Sequence, residues 1–326
     1  MVWGKAGSTT LTSAGDDVDI TSLAESTNRM IMSHMINSGA CQNKVTFNDT
    51  GSSKYATRNE YNDDADSTQI NQNFIPHWDG NDNASNDQFV VSFLSDIDGE
   101  EKLGLYWGID RGTAGANTIR SRNMVYKYIN TPKITSLDLN NQGAGSYDTG
   151  SNITALGSDV TPAPSTPAVP AIPALLPALQ TTGGWVELAR TTWSSGNSFT
   201  VSSIPDKRYL MVLNYTDSAS NYNNIMRFNS DTSLIYAWRR SLNGENPDGT
   251  TKINTNSIAM NGVGYDDFGF SVNYIANLSN KEKLVINHAC DTGGVGSTVA
   301  PDRQEVVGKW TNTTDSIDEI TITTGS

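Results

Sequence analysis

The chain has 326 residues, a net charge of −13 and a sequence pI near 4.6, with 36% hydrophobic and 17% charged residues. That length accommodates two domains with separate cores, and low charge with many small polar residues favours strands joined by turns over helical bundles. Phosphate contact needs clustered Lys and Arg, so the acidic balance argues against nonspecific nucleic-acid binding and suits a protein that stays soluble at high local density.

The N-terminal MVWGKAGSTT carries no basic region followed by an apolar core, so no signal peptide is expected. DVDITSL places Val18 and Ile20 on one face of a strand. The turn-rich clusters NDDADS and WDGNDNASND follow FNDTGSSKYATR (Phe47 to Arg58), and FVVSFL and EKLGL continue as strands. KITSLDLNNQGAGSYDTGSNITALG then reads as strand, Gly-rich turn and strand. Six of the eleven prolines fall between Pro162 and Pro177, which blocks helix and sheet ladders and favours an extended polyproline course. This is also the longest apolar stretch, too short and too broken to span a membrane. Beyond it, KRYLMVLNY (Lys207 to Tyr215) has the apolar run of a central strand, and FSVNYI alternates Phe270, Val272 and Tyr274 on one face. No stretch forms a long amphipathic helix.

The second half rewrites the first. FNDTGSSKYATR returns as FNSDTSLIYAWR (Phe228 to Arg239), 181 residues on (228 − 47), with six of twelve positions identical. FVVSFL falls on FSVNYI and EKLGL on EKLVI at the same offset, as do Met30 on Met211, Asn43 on Asn224 and Arg122 on Arg303. Near the end the offset drifts, Asn130 matching Asn312 and ITSLDL matching IDEITI. Ordered matches with almost no gaps mean tandem copies of one domain. The expected fold is therefore all-β: two tandem antiparallel β-sandwiches, jelly-roll-like and of about eight strands each, at residues 1–157 and 184–326, with a Pro/Ala-rich arm at 158–183. The second copy stops at SIDEITITTGS and lacks a counterpart to SNITALG, which leaves an open sheet edge for the arm or another subunit to cover.

Catalytic patterns are missing. His34, His77 and His288 sit in no metal-ligand spacing, and no nucleophile elbow, P-loop or dinucleotide fingerprint is present. Cys41 and Cys290 occupy non-equivalent places in the copies and read as two buried free thiols rather than a disulfide. The acidic clusters match no EF-hand and read as solvated turns, so no cofactor or metal is expected. Trp78, Tyr106 and Trp107 are the aromatics available for stacking on a glycan, with a core role the competing reading for Tyr106 and Trp107. Phe47, Tyr55 and Arg58, repeated as Phe228, Tyr236 and Arg239, read as framework around a variable turn, each Arg pinning it by a buried or bidentate hydrogen bond.

TTLTSAGDDVDITSL, FNDTGSSKYATR and the Gly-Ala-Gly closing hairpin, with GWVELARTTWSSGNSFTVSSIPDKRYLMVLNY in the second copy, resemble repeated domains in virion structural proteins of tailed phages, particularly phages of marine bacteria. The likeness spans both copies but not the arm. The first copy opens VWGKAGSTT rather than with the fuller Trp-Glu-Leu-Gly-Arg-Thr-Thr-like phrase, and the second lacks the closing hairpin. The resemblance implies a non-enzymatic part of the particle, assembled in the host cytoplasm: a capsid decoration or cement protein, a knob or fibre, or a tail component. Its partners would be copies of itself and the major capsid or other virion proteins. A host-glycan-binding adhesin is the alternative.

Overall fold

A computed structural model describes residues 3–48, 53–62, 67–78, 87–158, 185–192, 195–217, 222–242, 250–263, 268–291 and 302–325. The proline-rich arm therefore lies outside the described residues. Those residues form twenty-two strands and no helix. The first copy contains β1 (Trp3–Thr10), β2 (Asp17–Ile20), β3 (Asn28–Met35), β4 (Asn43–Phe47), β5 (Tyr55–Tyr61), β6 (Ser67–Gln72), β7 (Ile75–Trp78), β8 (Gln88–Ser95), β9 (Lys102–Asp110), β10 (Arg120–Tyr128), β11 (Leu137–Asn141) and β12 (Asn152–Ser158). The second contains β13 (Ser198–Val201), β14 (Tyr209–Asp217), β15 (Tyr222–Phe228), β16 (Tyr236–Leu242), β17 (Thr250–Thr255), β18 (Ile258–Val263), β19 (Phe268–Ala276), β20 (Lys283–Asp291), β21 (Asp302–Trp310) and β22 (Ile320–Gly325).

Each copy is an antiparallel sandwich of one large and one small sheet. The first stacks β1-β12-β3-β8-β9-β10-β5-β6 on β2-β11-β4-β7; the second stacks β14-β19-β20-β21-β16-β17 on β13-β22-β15-β18. Strand for strand, among the described residues, the second order is the first without β1 and β12. Twelve and ten strands exceed the expected eight per copy because several short strands carry weak alternation. SerThrGlnIleAsnGln in β6 has no buried position, and β7 is four residues containing Pro76.

Cross-strand register fixes the equivalences. Leu137 pairs with both Ile20 and Phe47, and Ile320 with both Val201 and Phe228, so ITSLDL does match IDEITI. The drift begins earlier than expected, however. Arg122 lies opposite Gly108 and Gln304 opposite Ala289, so Arg122 is equivalent to Gln304 rather than to Arg303. A one-residue slip turns a side chain to the other face, so the Arg–Arg match is coincidental.

Two cores fill the sandwiches. Val18, Val45, Phe47, Tyr106, Tyr126 and Leu139 are among those buried in the first, and Met226, Phe228, Ile258, Val285 and Trp310 among those in the second. A third apolar cluster joins the outer faces of the two large sheets. Met30, Met32, Phe89, Val91 and Ile109 of the first copy meet Tyr274, Leu284, Ile286 and Val307 of the second. The copies thus pack face to face as well as following one another in the chain.

Among the described residues the second copy has no strand in the place of β12. In the first copy β3 runs between β12 and β8. Its equivalent β14 pairs only with β19 among the described residues, so KRYLMVLNY, a central strand by composition, lies at an edge. The opening segment of the second copy, residues 185–192, forms no strand. In the first copy the corresponding opening strand β1 pairs with β12.

Candidate functional site

What the copies share satisfies backbone. The Tyr55 hydroxyl accepts the Phe47 N–H at 2.7 Å, and the Tyr236 hydroxyl accepts the Phe228 N–H at 3.1 Å. The next residue in each copy, Asn48 or Asn229, adopts a left-handed φ of 54° or 52°, a conformation Asn tolerates. The two side-chain amides donate to the Lys133 and Ser316 carbonyls, both at 2.8 Å. Their oxygens accept N–H groups of Thr135 at 2.7 Å in one copy and Asp318 at 3.0 Å in the other. The Lys of the repeated Glu-Lys-Leu is buried both times. Lys102 donates to the carbonyls of Ile97, Glu100 and Thr131 at 2.6, 2.6 and 2.7 Å, and Lys283 to those of Ser279, Lys281 and Asn312 at 3.1, 2.9 and 2.8 Å. An ammonium has three protons, and three carbonyls take them.

The arginines differ from expectation. Tyr55, Thr57 and Asn59 of β5 point inward, so Arg58, one residue out of phase, is exposed and cannot be a buried pin. Arg239 is half-buried and lines a small crevice between the copies. The Phe–Tyr pair and the Asn hold the turn.

The glycan candidates separate. Tyr106 is only 2% exposed inside the first core, so it offers no face to a sugar. Trp107 points outward and meets the second copy, its ring 4.6 Å from that of His288, while Phe93 of its own copy lies 5.9 Å away. Trp78 ends β7, and its side chain lies outside the described residues, as do most of the two acidic clusters. Cys41 is buried as expected, with its thiol pushed up to about 11 mainly by burial. Cys290 is exposed, correcting the second thiol. It stands at the Ile109 position of the repeat, which the copy–copy contact covers only in the first copy.

Perturbed titratable groups gather where the copies meet. Asp87, raised to about 6 by burial against the opposing pull of Arg111, lies 3.6 Å from that guanidinium. Burial likewise raises Asp110, 3.3 Å from Arg120. From the second copy, Lys309 donates to the carbonyls of Arg111 and Thr113 at 2.8 and 2.7 Å and lies 3.4 Å from Glu282, which accepts the Gly115 N–H at 2.7 Å. Every named partner belongs to this network, which fastens the loop after β9 onto the second copy. His34, buried between Phe89 and the second copy's cations, is held neutral with its pKa lowered to about 3, by burial first and then by Arg208 and Lys281. Sequence reading missed this cluster because its members, from Asp87 to Lys309, meet only when the large sheets stack.

A second surface is open. The outer face of the small sheet β2-β11-β4-β7 forms a shallow depression of about 740 Å³ lined by Asp17, Asp19, Asp138, Lys44 and Phe74 among others, with Lys44 lying 4.2 Å above the Phe74 ring. Asp19 stands directly opposite Asp138 across the strands. The same rungs in the second copy are neutral, Thr200 opposite Thr321 with their hydroxyls 2.9 Å apart. Among the described residues, no cluster of His, Cys, Asp and Glu is arranged to hold a metal ion, and no helix is long and apolar enough to cross a membrane.

No protein-family model and no curated protein matches the chain.

Proposed function

We propose that the chain is a non-enzymatic structural protein of the surface of a tailed-phage particle, a capsid decoration or cement protein or a knob or fibre. The observation that carries the reading is what duplication kept. The repeated Phe–Tyr pair, Asn and buried Lys all close backbone hydrogen bonds, whereas the exposed faces of the copies diverge. A domain reused for its scaffold suits a building block, and the resemblance of its motifs to phage virion repeats supplies the setting. Quantitative mass spectrometry of purified particles tests this. Capsid decoration gives hundreds of chains per particle and a fibre or tail part gives a handful; absence from particles overturns the reading, and so does release of reducing sugar from host polysaccharide by the pure chain.

The second reading, a host-glycan adhesin, draws on the depression in the small sheet, which combines carboxylates and amides with an aromatic at its rim. Glycan-array signal abolished by Asp138→Ala or Trp78→Ala would favour it over a purely structural role.

A further inference from the structure

The small sheets of the two copies share an inner face and differ on the outer one. Val18 and Leu139 pair in the first copy, and Phe199 and Ile322 pair at the same rung of the second, apolar and core-facing in both. One residue out of phase, on the solvent side, the charges are not kept. Asp19 and Asp138 correspond to Thr200 and Thr321. Lys44 and Phe74 correspond to Ile225 and Ser257, by the registers that set Val45 beside Leu139 and Ile75, and Met226 beside Ile322 and Ile258. Carboxylates, ammonium and aromatic ring together line the depression of about 740 Å³ in the first copy, and the second copy replaces all four residues.

The fold does not require this set. Like charges directly opposite each other destabilise a sheet, so the Asp19–Asp138 rung works against the strands that carry it. The second copy closes the same ladder with two threonines whose hydroxyls lie 2.9 Å apart. In the first copy the polar groups are instead held in fixed directions. Thr46 donates to Asp138 at 3.3 Å, the Asn140 amide donates to Asp17, and Lys44 donates to Gln142 while standing over the Phe74 ring. An ionised carboxylate offers about four acceptor positions, so a neighbour's donor leaves others for a ligand.

Size and lining select the ligand. The depression falls within the range of about 300–1,000 Å³ typical of small-molecule sites. Two carboxylates on one rung can accept from adjacent hydroxyls, in charge-assisted hydrogen bonds roughly twice as strong as neutral ones. The side chains of Thr46, Asn140 and Gln142 both donate and accept, and Phe74 adds apolar surface for the C–H face of a ring. A saccharide presents that combination. Three carboxylates against one ammonium leave the lining with a net charge of −2, which repels uronic acids, sulfated sugars and phosphates.

We propose that this depression binds an uncharged oligosaccharide, in the first copy only, with Asp19 and Asp138 accepting from ligand hydroxyls, Lys44 donating and Phe74 packing on a sugar ring. The proposal rests on the adhesin reading above and gives it a site and a sugar class. Glycan-array screening and titration calorimetry of the full chain test it, with neutral, uronic-acid and sulfated oligosaccharides as probes and oligolysine as a cationic control. Binding is expected for neutral oligosaccharides alone, with Kd raised at least tenfold by Phe74→Ala and by the Asp19→Thr/Asp138→Thr double variant. That double variant installs the residues the second copy already uses, so its melting temperature should equal or exceed the parent's. Thr200→Ala, in the second copy, should leave Kd unchanged. Neutral-glycan binding that both first-copy variants leave intact overturns the proposal while the adhesin reading stands, whereas no signal from any glycan overturns both. A preference for acidic sugars or for oligolysine also overturns it. So does a double variant that melts well below the parent, since the carboxylates would then belong to the scaffold.

Discussion

His34 makes the stability of this protein depend on pH in a calculable way. The side chain is buried, neither ring nitrogen has a hydrogen-bond partner among the described residues, and burial with Arg208 and Lys281 nearby lowers its pKa from 6.5 to about 3. In that window the unfolded chain binds a proton that the folded chain refuses, so stability falls as pH falls below about 6.5 and levels off only near 3. At pH 4.5 the unfolded imidazole is protonated by a factor of about 100, worth about 2.7 kcal/mol, against about 0.1 kcal/mol at pH 7.5. Other groups titrate over the same range, Asp87 with the opposite sign because its folded pKa is raised to about 6. Comparison with His34→Leu removes them. Urea unfolding followed by tryptophan fluorescence, run at pH 7.5 and 4.5, is expected to show the variant gaining about 2.5 kcal/mol on the parent between the two conditions. Parallel pH dependences for the two chains would refute the reasoning, since a histidine that cannot be protonated in the fold must leave this difference.

Three further outcomes follow from the repeated framework and the open edge. Tyr55→Phe and Tyr236→Phe each orphan a buried Phe N–H and should cost about 1–2 kcal/mol in chemical unfolding; a loss under a few tenths in both would reassign the hydroxyls to incidental contact. Lys102→Met keeps the stem but strips three carbonyls of their donor, with an expected loss of about 2–4 kcal/mol measured by thermal melting. Adding residues 142–158 after Thr324 supplies the second copy with a closing hairpin and a β12 counterpart. That chimera should slow hydrogen exchange at the β14 amides and raise the melting temperature, and unchanged exchange there would mean that the edge is already covered.

How far the sequence foretold this depended on whether a feature was local. Duplication was legible because its anchors are aromatic and β-branched residues at fixed spacing. The face-to-face contact was not legible. Leu103 and Leu284 sit in nearly identical phrases, EKLGL and EKLVI, and no pattern within either says that one faces solvent and the other a second sandwich. Arg58 misled for a related reason. An identity in a repeat marks a shared position, but only strand phase tells which side of the sheet it occupies, and the phase of β5 is set by Tyr55. The polar cluster around Asp87 and Lys309 joins residues far apart in the chain, so composition alone had no means of assembling it.

One buried pair constrains how the two halves diverged. In the first copy Arg29 and Asp96 meet at 2.8 Å with no exposed side-chain surface, and the Asp carboxylate also takes the Ile134 N–H at 3.0 Å. At the equivalent places the second copy has Leu210 and Asn277, and the Asn oxygen takes the Ile317 N–H at 2.7 Å. Whichever form is older, a chain that changed Arg29 first would have held a lone buried carboxylate, at a cost of about 3–5 kcal/mol, a large part of the margin of a typical domain. Exchanging the carboxylate for the amide first keeps the Ile134 N–H satisfied but leaves the guanidinium buried without its counter-charge, held by the Ala24 and Ile134 carbonyls alone. Either single exchange passes through a buried charge without its partner, so the two positions are electrostatically coupled and diverged as a unit.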